Sequence, residues 1–501
     1  MKPFAMLVAA IMAVSPSIVV AAPSTSFEAL AGFIQRTKHA TGHSSGTAVA
    51  VVKDGKVIYE GYFGFADIHG AKPVTRDTAF YIASTTKPFL ALNTLLKEAT
   101  GQLDTRTSLQ AMFPDVRFNG FDAASVTVKN LLVHTSGIDN QPLVWATAFS
   151  GIHDATSRRA LVAASYPDAK AAPGTFKYTN VGYNILSVWL DQAFAMPWQD
   201  QLRSTIFQPL GMARTSAYIS DAKTKDWPLA KPYSYASANP EEPLYLGKSD
   251  NTMHAAGGLV STAPDLAKFL VAQLSRGTLA GKPIFPESLI EQSHAPQTTT
   301  DARYLDFQRT GYAWGWYTGE YKGQRMLHHF GAFAGFHAHL SFIPGKNIGL
   351  VVLNNEDVLS PRLTNLIADY AYGVLLNEPD IQAKMRGRFD DLQAQAREMK
   401  SAVAKQRAVI QGRAWRLSQP LEAYVGTYSN ALLGDIQVDL NADRTLTIRW
   451  GKLVAAATGY DGENQVRVEF SPNSGEVVSF VTRDGRVDAI TFEHMTFKKN
   501  N

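Results

Sequence analysis

A serine and a lysine three residues apart, in the stretch Ser84-Thr-Thr-Lys87, could together supply a nucleophile and its base. A serine hydroxyl attacks a carbonyl only weakly until a neighbouring base takes its proton. A lysine amine can act as that base when burial or nearby cations lower its pKa well below the usual value of about 10.4. The spacing therefore predicts acyl transfer to a serine, with the lysine as its base.

The same S-x-x-K spacing recurs at Ser220 and Lys223, and about one or two matches are expected by chance in a chain of this length. Ser84 follows the apolar run AFYIA and leads into KPFLALNTLLKEATG, an apolar-periodic helix on which Ser84 and Lys87 share a face. Ser220 lies in the polar stretch ARTSAYISDAKTKDWP, for which no helix is predicted. The context favours Ser84, where the positive end of a helix dipole would also stabilise an oxyanion.

Tyr178 and Asn180 form a second polar group, in the stretch PGTFKYTNVGYNILS. Both are predicted to lie in a loop just ahead of a helix. A phenol near Lys87 could relay the proton of the serine, and the Asn180 amide could hold the lysine or the substrate. His134, in HTSG, is interpreted as a residue that structures a loop, because the tyrosine and lysine already fill the role of the base.

A third group is His329-Phe-Gly331, in LHHFGAFAGFHAHLSFIPG, which is predicted to stand at the entrance to a strand. Glycine permits close backbone approach, so the next amide, that of Ala332, could point into the site.

These residues need a scaffold that brings distant parts of the chain together. Between about residues 25 and 375, strand-like runs such as TAVAVVKDGKVIYEGYFG and HAHLSFIPGKNIGLVVLNN flank a long helical middle. Strands at both ends with helices between them predict one sheet with a helical subdomain on its face.

The stretch Gly42-His-Ser-Ser-Gly46 also fits a nucleophile motif, G-x-S-x-G, with Ser44 at its centre. A nucleophile elbow requires a strand before the serine and a helix after it. Here the helix-like SFEALAGFIQRTKHAT precedes the motif, and the hairpin-like TAVAVVKDGKVIYEG follows it. We therefore interpret Gly42 to Gly46 as a connecting turn.

Two regions follow the catalytic domain, which we assign to residues 25–378. Residues 379–414 predict a linker helix, because residues 381–413 contain no proline and carry an apolar stripe at spacings of 3, 4 or 7, formed by Met385, Phe389, Leu392, Ala396, Met399, Val403 and Ile410. Eight Lys/Arg against three Asp/Glu give this helix a basic outer face. Its basic face is either solvated, with the apolar face on a neighbouring domain, or in contact with an anionic envelope surface. Residues 415–501 alternate apolar and polar residues and contain an Asp484-Gly485 turn, which predicts a small all-β domain, assigned as a barrel.

Residues 1–22 have the layout of a secretory signal peptide, with a lysine, an apolar run and small residues at a cleavage point near Ala21 or Ala22. The alternative is an uncleaved membrane anchor. No later stretch is apolar for the roughly 20 residues that a spanning helix needs. The interpretation favours a periplasmic or secreted protein without a transmembrane helix after signal removal.

The composition of the chain narrows the functional classes that remain. The chain has no cysteine, which removes thiol catalysis and thiolate metal sites, and its net charge of +4 gives no signal for a nucleic-acid partner. His328, His329, His337 and His339 cluster in sequence, but no carboxylate motif accompanies them. We therefore predict no metal and no cofactor.

The motifs STTK, YTN and HFG, in this order, resemble those of the penicillin-binding-protein and class C β-lactamase-related serine hydrolases. The connecting segments VTVKNLLVHTSGI, IFQPLGMARTS and AAGGLVSTAPDLAKFL are similar as well, and the resemblance covers about residues 28–375. It implies an α+β fold with a β-lactamase/transpeptidase-like antiparallel sheet and a helical subdomain. The C-terminal domain resembles, more weakly, the lipocalin-like modules appended to some of these proteins.

By this resemblance Ser84 would be acylated, Lys87 and Tyr178 would form the base system, and Asn180 would orient the site. The backbone amides of Ser84 and Ala332 would form the oxyanion hole. The implied enzyme is a serine hydrolase with an acyl-enzyme intermediate.

The segment from His329 to Gly331 takes the place of the family's K-T-G. A lysine there offers a permanent charge to a substrate carboxylate, whereas His329 would be mostly neutral near pH 7. This favours esters, amides, N-terminal D-amino-acid peptides or cell-wall fragments over efficient β-lactam hydrolysis. Pro88 is a second departure, and it is tolerated after Lys87 only where the helix has barely begun.

Two alternatives stay open. One is a β-lactamase or DD-carboxypeptidase that uses HFG in place of KTG. The other is a non-catalytic envelope protein that keeps the fold to bind peptidoglycan, although a pure binder has no need of the serine, lysine, tyrosine and asparagine together.

Overall fold

The computed structural model describes residues 25–500, so the predicted signal peptide at residues 1–22 lies outside the described residues. The helices are α1 (Thr25–Thr41), α2 (Lys87–Ala99), α3 (Leu109–Met112), α4 (Val128–Leu132), α5 (Gln141–Trp145), α6 (Val181–Ala193), α7 (Trp198–Leu202), α8 (Ile219–Thr224), α9 (Ala263–Leu274), α10 (Glu287–His294), α11 (Ser360–Leu375) and α12 (Ile381–Gln411). Within residues 25–500, no helix is both long enough and apolar enough to cross a membrane.

The strands of the first 380 residues are β1 (Thr47–Lys53), β2 (Lys56–Phe63), β3 (Phe65–Asp67), β4 (Lys72–Pro73), β5 (Phe80–Tyr81), β6 (Ile138–Asp139), β7 (Tyr166–Pro167), β8 (Val260–Ser261), β9 (Thr278–Leu279), β10 (Lys282–Pro283), β11 (Thr298–Tyr304), β12 (Phe307–Tyr312), β13 (Tyr317–Tyr321), β14 (Gln324–Phe333), β15 (Phe336–Ile343) and β16 (Ile348–Asn354). The central sheet is antiparallel, in the order β11-β12-β13-β14-β15-β16-β1-β2. The N-terminal and C-terminal parts of this domain meet in the sheet, where β1 pairs with β16, from Thr47 opposite Asn354 to Lys53 opposite Ile348.

Both faces of the central sheet are covered, which is why its inner strands are buried along almost their whole length. β15 and β16 are buried at every position, so they show no alternation of apolar and polar residues. One face packs on α9 and the helical subdomain that contains α2 and α6. The other face packs on α1, α11 and the first half of α12. The predicted antiparallel sheet with a helical subdomain is confirmed.

Helix α12 is fastened to the back of this domain by its first four turns. Met385, Phe389, Leu392 and Ala396 are buried, and Arg388 forms ion pairs with Asp306 and Asp369. Beyond Met399 the predicted apolar stripe is only partly buried, since Val403 and Ile410 are half-exposed. In this second half Lys400 and Lys405 are exposed, whereas Arg407 donates hydrogen bonds to the Ala236 carbonyl and to Asn473 of the barrel.

The C-terminal strands are β17 (Gly426–Asn430), β18 (Gly434–Leu440), β19 (Leu446–Trp450), β20 (Leu453–Ala456), β21 (Thr458–Gly459), β22 (Gln465–Val468), β23 (Glu476–Arg483), β24 (Arg486–Phe492) and β25 (Met495–Lys499). They form one antiparallel sheet in the order β20-β19-β18-β17-β25-β24-β23-β22-β21. The consecutive strands β20 and β21 stand at its two ends, so the sheet curls into a nearly closed barrel. The predicted all-β C-terminal barrel is confirmed.

The barrel is docked against the helical subdomain. The backbone N–H of Lys452 donates to the carbonyl of Ser150 at 2.9 Å. On the same side, the Phe492 ring lies 4.8 Å from the Trp145 ring, edge to face. Backbone and aromatic contacts thus hold one rim of the barrel beside the segment from α5 to Gly151.

Candidate active site

Ser84 lies in a tight 3-10 turn, Ala83–Thr86, between β5 and the start of α2. Ala83 has a φ of 45°, an uncommon conformation for a residue with a side chain, and it turns the chain sharply ahead of the serine. Lys87 is the first residue of α2, and Pro88 stands in its first turn, where a missing N–H leaves no helical hydrogen bond unmade. The proline therefore fits the turn without disturbing the helix, as its position after Lys87 suggested.

The Lys87 side chain is fully buried and has three polar neighbours. Its Nζ lies 2.8 Å from Asn180 Oδ1, 2.8 Å from the Ala256 carbonyl oxygen and 3.1 Å from Ser84 Oγ. Burial lowers the pKa of the ammonium well below its usual value. The amide and carbonyl oxygens can only accept hydrogen bonds, so a neutral Lys87 donates to both and turns its lone pair to the Ser84 hydroxyl.

Tyr178 completes this arrangement from the loop ahead of α6. Its hydroxyl hydrogen-bonds with Ser84, and its ring centroid lies 4.7 Å from Lys87 Nζ. Burial raises the pKa of the phenol well above its usual value, while the hydrogen bond with Ser84 acts in the opposite direction. Tyr178 is thus a neutral phenol at pH 7, able to accept and pass on a proton, rather than a standing phenolate.

The loop that holds Tyr178 and Asn180 rests on the buried His134. The Thr179 N–H donates to His134 Nδ1 at 3.3 Å, and the Lys177 N–H donates to the His134 carbonyl at 2.9 Å. The His134 ring lies 4.6 Å from that of Tyr178. His134 therefore supports the loop, in keeping with its interpretation as a residue that structures a loop.

Gly331 brings the edge of β14 against the nucleophile turn. A Cβ at this position would lie 2.1 Å from the Ile82 carbonyl oxygen and 3.1 Å from the Ser84 nitrogen, so no side chain fits. Ala332 follows at an exposed position on the same strand. The prediction that HFG stands at the entrance to a strand was wrong, because it lies near the end of the ten-residue β14. This strand is buried on both faces from Met326 to Gly331, so its sequence lacks the alternation that would have marked its start.

His329 faces the same side of β14 as Gly331 and is fully buried. Its Nδ1 lies 2.8 Å from the Phe330 carbonyl oxygen, which can only accept, so Nδ1 carries a proton. Its Nε2 lies 3.3 Å from the Tyr312 hydroxyl. Burial lowers the pKa of His329 well below its usual value. The side chain is therefore a neutral imidazole at pH 7.

Two features near the site were missed from the sequence. Lys248 lies with its Nζ 3.4 Å from the centroid of the Phe333 ring and donates to the Ala148 carbonyl at 2.8 Å. Burial lowers the pKa of this lysine well below its usual value. The second feature is Glu493, at the tip of the β24–β25 hairpin, which lines a cleft together with Asn180. Neither residue belongs to a motif, so only tertiary contact reveals them.

The other candidates from the sequence lie apart from this cluster. Ser44 is in the segment between α1 and β1, as the connecting turn predicts. The prediction that no helix forms at Ser220 was wrong, because Ser220 and Lys223 lie on the six-residue α8. The helix is short and only Ile219 and Ala222 in it are buried, so no apolar period was visible. Lys223 is exposed, so it lacks the burial that surrounds Lys87.

Three of the four histidines in the sequence cluster make separate hydrogen bonds, and the two ring nitrogens of His328 have no hydrogen-bond partner within residues 25–500. His337 lies 3.3 Å from the Thr364 hydroxyl through Nδ1, and His339 lies 2.6 Å from the Ser341 hydroxyl through Nε2. Among residues 25–500, no group of three or more His, Asp or Glu side chains is placed to hold a metal ion.

This chain is similar to known proteins over most of its length. A family model described as Beta-lactamase matches residues 30–371. The unguisins hydrolase ungD' of Aspergillus campestris is 27% identical over 455 residues, which cover 87% of this chain and 80% of that protein.

Two solved structures share the fold. The octameric penicillin-binding protein homologue from Pyrococcus abyssi has a TM-score of 0.59 at 21% identity, over 95% of this chain and 100% of that chain. The D-amino acid amidase from Ochrobactrum anthropi SV3, complexed with L-phenylalanine amide, has a TM-score of 0.57 at 23% identity, over 71% of this chain and 99% of that chain. At these identities the likeness concerns the fold alone.

Proposed function

Because this chain belongs to the beta-lactamase family, whose members are serine hydrolases, we propose that it cleaves an ester or amide through an acyl-enzyme on Ser84. The observation that carries the proposal is the 3.1 Å separation of Lys87 Nζ and Ser84 Oγ, with the other two lysine contacts made to oxygens that can only accept. This arrangement leaves the lysine lone pair for the serine proton.

In the proposed reaction, Ser84 Oγ attacks the substrate carbonyl as its proton passes to Lys87, directly or through Tyr178. The oxyanion accepts hydrogen bonds from the N–H groups of Ser84 and Ala332. Collapse of the tetrahedral intermediate expels the alcohol or amine, which takes the proton back from the Tyr178–Lys87 pair. Water then attacks the acyl-enzyme, gives its proton to the same pair and releases the acid and free Ser84.

The substrate we propose is a small ester, a D-amino-acid amide or peptide, or a cell-wall fragment. A neutral His329 offers no full charge to a substrate carboxylate, which disfavours β-lactams and peptides recognised through their C-terminal carboxylate. The similar proteins named above include an unguisins hydrolase and, by likeness of fold, a D-amino acid amidase, and the second of these names is the one that points to an amide. A β-lactamase or DD-carboxypeptidase is the alternative within the same chemistry, and a peptidoglycan-binding protein is the alternative outside it.

We further propose that the protein is exported, with residues 1–22 removed near Ala21 or Ala22 and with the mature chain in the periplasm or secreted. The proposed mature domains are residues 25–378, the linker helix at 379–414 and the barrel at 415–501. Intact-mass measurement of the protein recovered from a bacterial periplasmic fraction tests this, because cleavage removes a mass that identifies the new first residue.

The activity is tested with a panel of a nitrophenyl ester, D-amino-acid nitroanilides and a chromogenic cephalosporin. Wild type and Ser220→Ala should turn over an ester or anilide at equal rates, whereas Ser84→Ala should be inactive. Serine-to-alanine at position 220 is the matched control, because it removes the other S-x-x-K serine. Turnover by Ser84→Ala equal to that of wild type, or no turnover of any substrate by wild type, contradicts the proposal.

A further inference from the structure

A cleft of about 320 Å³ opens directly onto the catalytic cluster, and its wall combines two domains. The catalytic domain supplies apolar and polar side chains, and the barrel supplies one acidic side chain; the wall includes Gln141, Trp145, Phe149, Thr179, Asn180 and Glu493. Asn180 is the residue that accepts a hydrogen bond from Lys87. The cleft therefore shares Asn180 with the catalytic cluster and has Glu493 in another part of its wall.

Glu493 is held at the cleft by an unusual turn. Phe492 pairs with Met495, so Glu493 and His494 form a two-residue hairpin in which both have positive φ, 44° and 65°. Turns of this kind strongly favour Asn-Gly or Asp-Gly. The neighbouring hairpin of the same barrel follows that preference with Asp484-Gly485. The Glu493–His494 hairpin thus has a strained backbone and carries a carboxylate. Backbone strain of this kind is concentrated at functional sites.

The stem of this hairpin is fixed against the catalytic domain. The Phe492 ring packs edge to face on Trp145, with centroids 4.8 Å apart. The next residue, Glu493, is therefore positioned by a buried aromatic contact rather than by a free loop.

The Glu493 carboxylate has no hydrogen-bond or ion-pair partner within the described part of the chain. Burial raises the pKa of the Tyr166 phenol, and the negative charges of Asp139 and Glu493 raise it further. This end of the cleft therefore presents an uncompensated negative charge.

We propose that Glu493 binds a protonated primary amine on the acyl part of the substrate, while the aromatic walls at Trp145 and Phe149 hold an apolar side chain. This inference rests on the proposed acyl-enzyme function and assigns its substrate class: aminoacyl esters and amides whose amino group is free. A carboxylate in the cleft attracts an ammonium and repels an anionic acyl group. The barrel is thereby a specificity element of the active site and not merely an appended domain.

The test compares Glu493→Gln with wild type in the full chain, on four substrates. D-phenylalanine nitroanilide carries an α-ammonium, N-acetyl-D-lysine nitroanilide carries a side-chain ammonium, and N-acetyl-D-phenylalanine nitroanilide and a neutral nitrophenyl ester carry none. For one of the two amines, the KM should rise about tenfold in Glu493→Gln, the factor expected for one charge-assisted hydrogen bond. The substrate affected shows whether the amine is the α-amino group or the side-chain amine.

Asp484→Asn is the matched control, because it neutralises an exposed carboxylate on the neighbouring hairpin of the same barrel, away from the cleft. It should leave all four substrates unchanged. Glu493→Asn is the second variant, since asparagine tolerates positive φ and preserves the turn while removing the charge. It should reproduce the result of Glu493→Gln.

Equal KM values for wild type and both Glu493 variants on the two amines overturn the inference, provided that the ester is still cleaved through Ser84. A loss that is as large for the N-acetylated phenylalanine and the ester also overturns it, because the effect is then structural. Failure of wild type on the neutral ester and on every anilide is a different result, which contradicts the proposed hydrolase function itself.

Discussion

The Nζ atom of Lys87 lies 2.8 Å from the Oδ1 atom of Asn180, a residue 93 positions later in the chain. This contact joins the first turn of α2, which directly follows the nucleophile turn Ala83–Thr86, to the loop that carries Tyr178. An amide oxygen accepts a hydrogen bond but does not neutralise an ammonium as a carboxylate would. Asn180 thus orients Lys87 without raising its pKa through a full opposite charge, and the amine is left free to act as a base.

Replacing Lys87 by arginine tests whether the side chain at position 87 acts as a base or only supplies a positive charge. A guanidinium keeps its proton at any working pH, so Lys87→Arg should lower kcat/KM for an ester by a factor of about 100 to 10,000. Steady-state kinetics of the variant, beside Lys223→Arg as the control on α8, measures this. Activity of Lys87→Arg within about threefold of wild type would rule out the lysine as the base.

The pH dependence follows from the burial of Lys87. Protonated Lys87 cannot accept the serine proton, so kcat/KM should fall as the pH drops through the lowered pKa and should be maintained above it. The midpoint of the ascending limb of the kcat/KM profile should therefore lie well below the reference lysine pKa of about 10.4. Tyr178, whose pKa is raised, adds no descending limb near neutrality.

This profile is measured as kcat/KM for a neutral ester between about pH 4 and pH 10. His134 and His329 should contribute no second limb near pH 6.5, because burial lowers both of their pKa values well below 6.5. A midpoint at the pKa of an unperturbed lysine would contradict the assignment of Lys87 as a buried neutral amine.

Gly331 should tolerate no side chain. The Cβ of Gly331→Ala would press on the Ile82 carbonyl and the Ser84 nitrogen, both of them backbone atoms of the nucleophile turn. We expect a loss of about 1–3 kcal/mol in the free energy of unfolding, as for overpacking in a core, together with reduced kcat. Denaturant unfolding and ester kinetics measure the two effects.

Gly345→Ala is the control for this substitution, since a Cβ there meets no atom within 4 Å and its φ is not positive. Unchanged stability and kcat in Gly331→Ala would show that the turn and β14 are further apart than described.

His329 should limit the hydrolysis of substrates that are recognised by a carboxylate. Wild type should cleave a chromogenic cephalosporin more slowly than a neutral ester, and His329→Lys should raise the ratio of the two kcat/KM values by about tenfold. His329→Gln, which keeps a neutral hydrogen-bonding side chain, should leave this ratio as it is. Wild-type turnover of the cephalosporin that exceeds ester turnover would show that the charge at this position does not set the preference.

The parts of the site that could be predicted are those that the local chain encodes. Ser84 and Lys87 are one helical turn apart, and Tyr178 and Asn180 are two residues apart in a single loop. The antiparallel sheet and the barrel were also predictable, because their strands carry either continuous apolar runs or a period of two. Their mutual arrangement followed from the resemblance of the three motifs.

The parts that could not be predicted depend on packing between distant segments. The Ala256 carbonyl reaches Lys87 across 169 residues, and Glu493 reaches the cleft only because Phe492 packs on Trp145. A backbone carbonyl has no sequence signature, and a glutamate in a hairpin looks like any solvated turn residue. Lys248 was missed for the same reason, since a lysine is usually exposed and only the fold surrounds it with Tyr81, Phe149 and Phe333.

The most direct test of the central claim is intact-mass measurement after reaction with a fluorophosphonate probe. Wild type and Ser220→Ala should each gain the mass of one adduct, and Ser84→Ala should gain none, because of these two serines it is Ser84 that has a buried amine beside its hydroxyl. An unmodified wild type, or an equal adduct on Ser84→Ala, would contradict the assignment of Ser84 as the nucleophile.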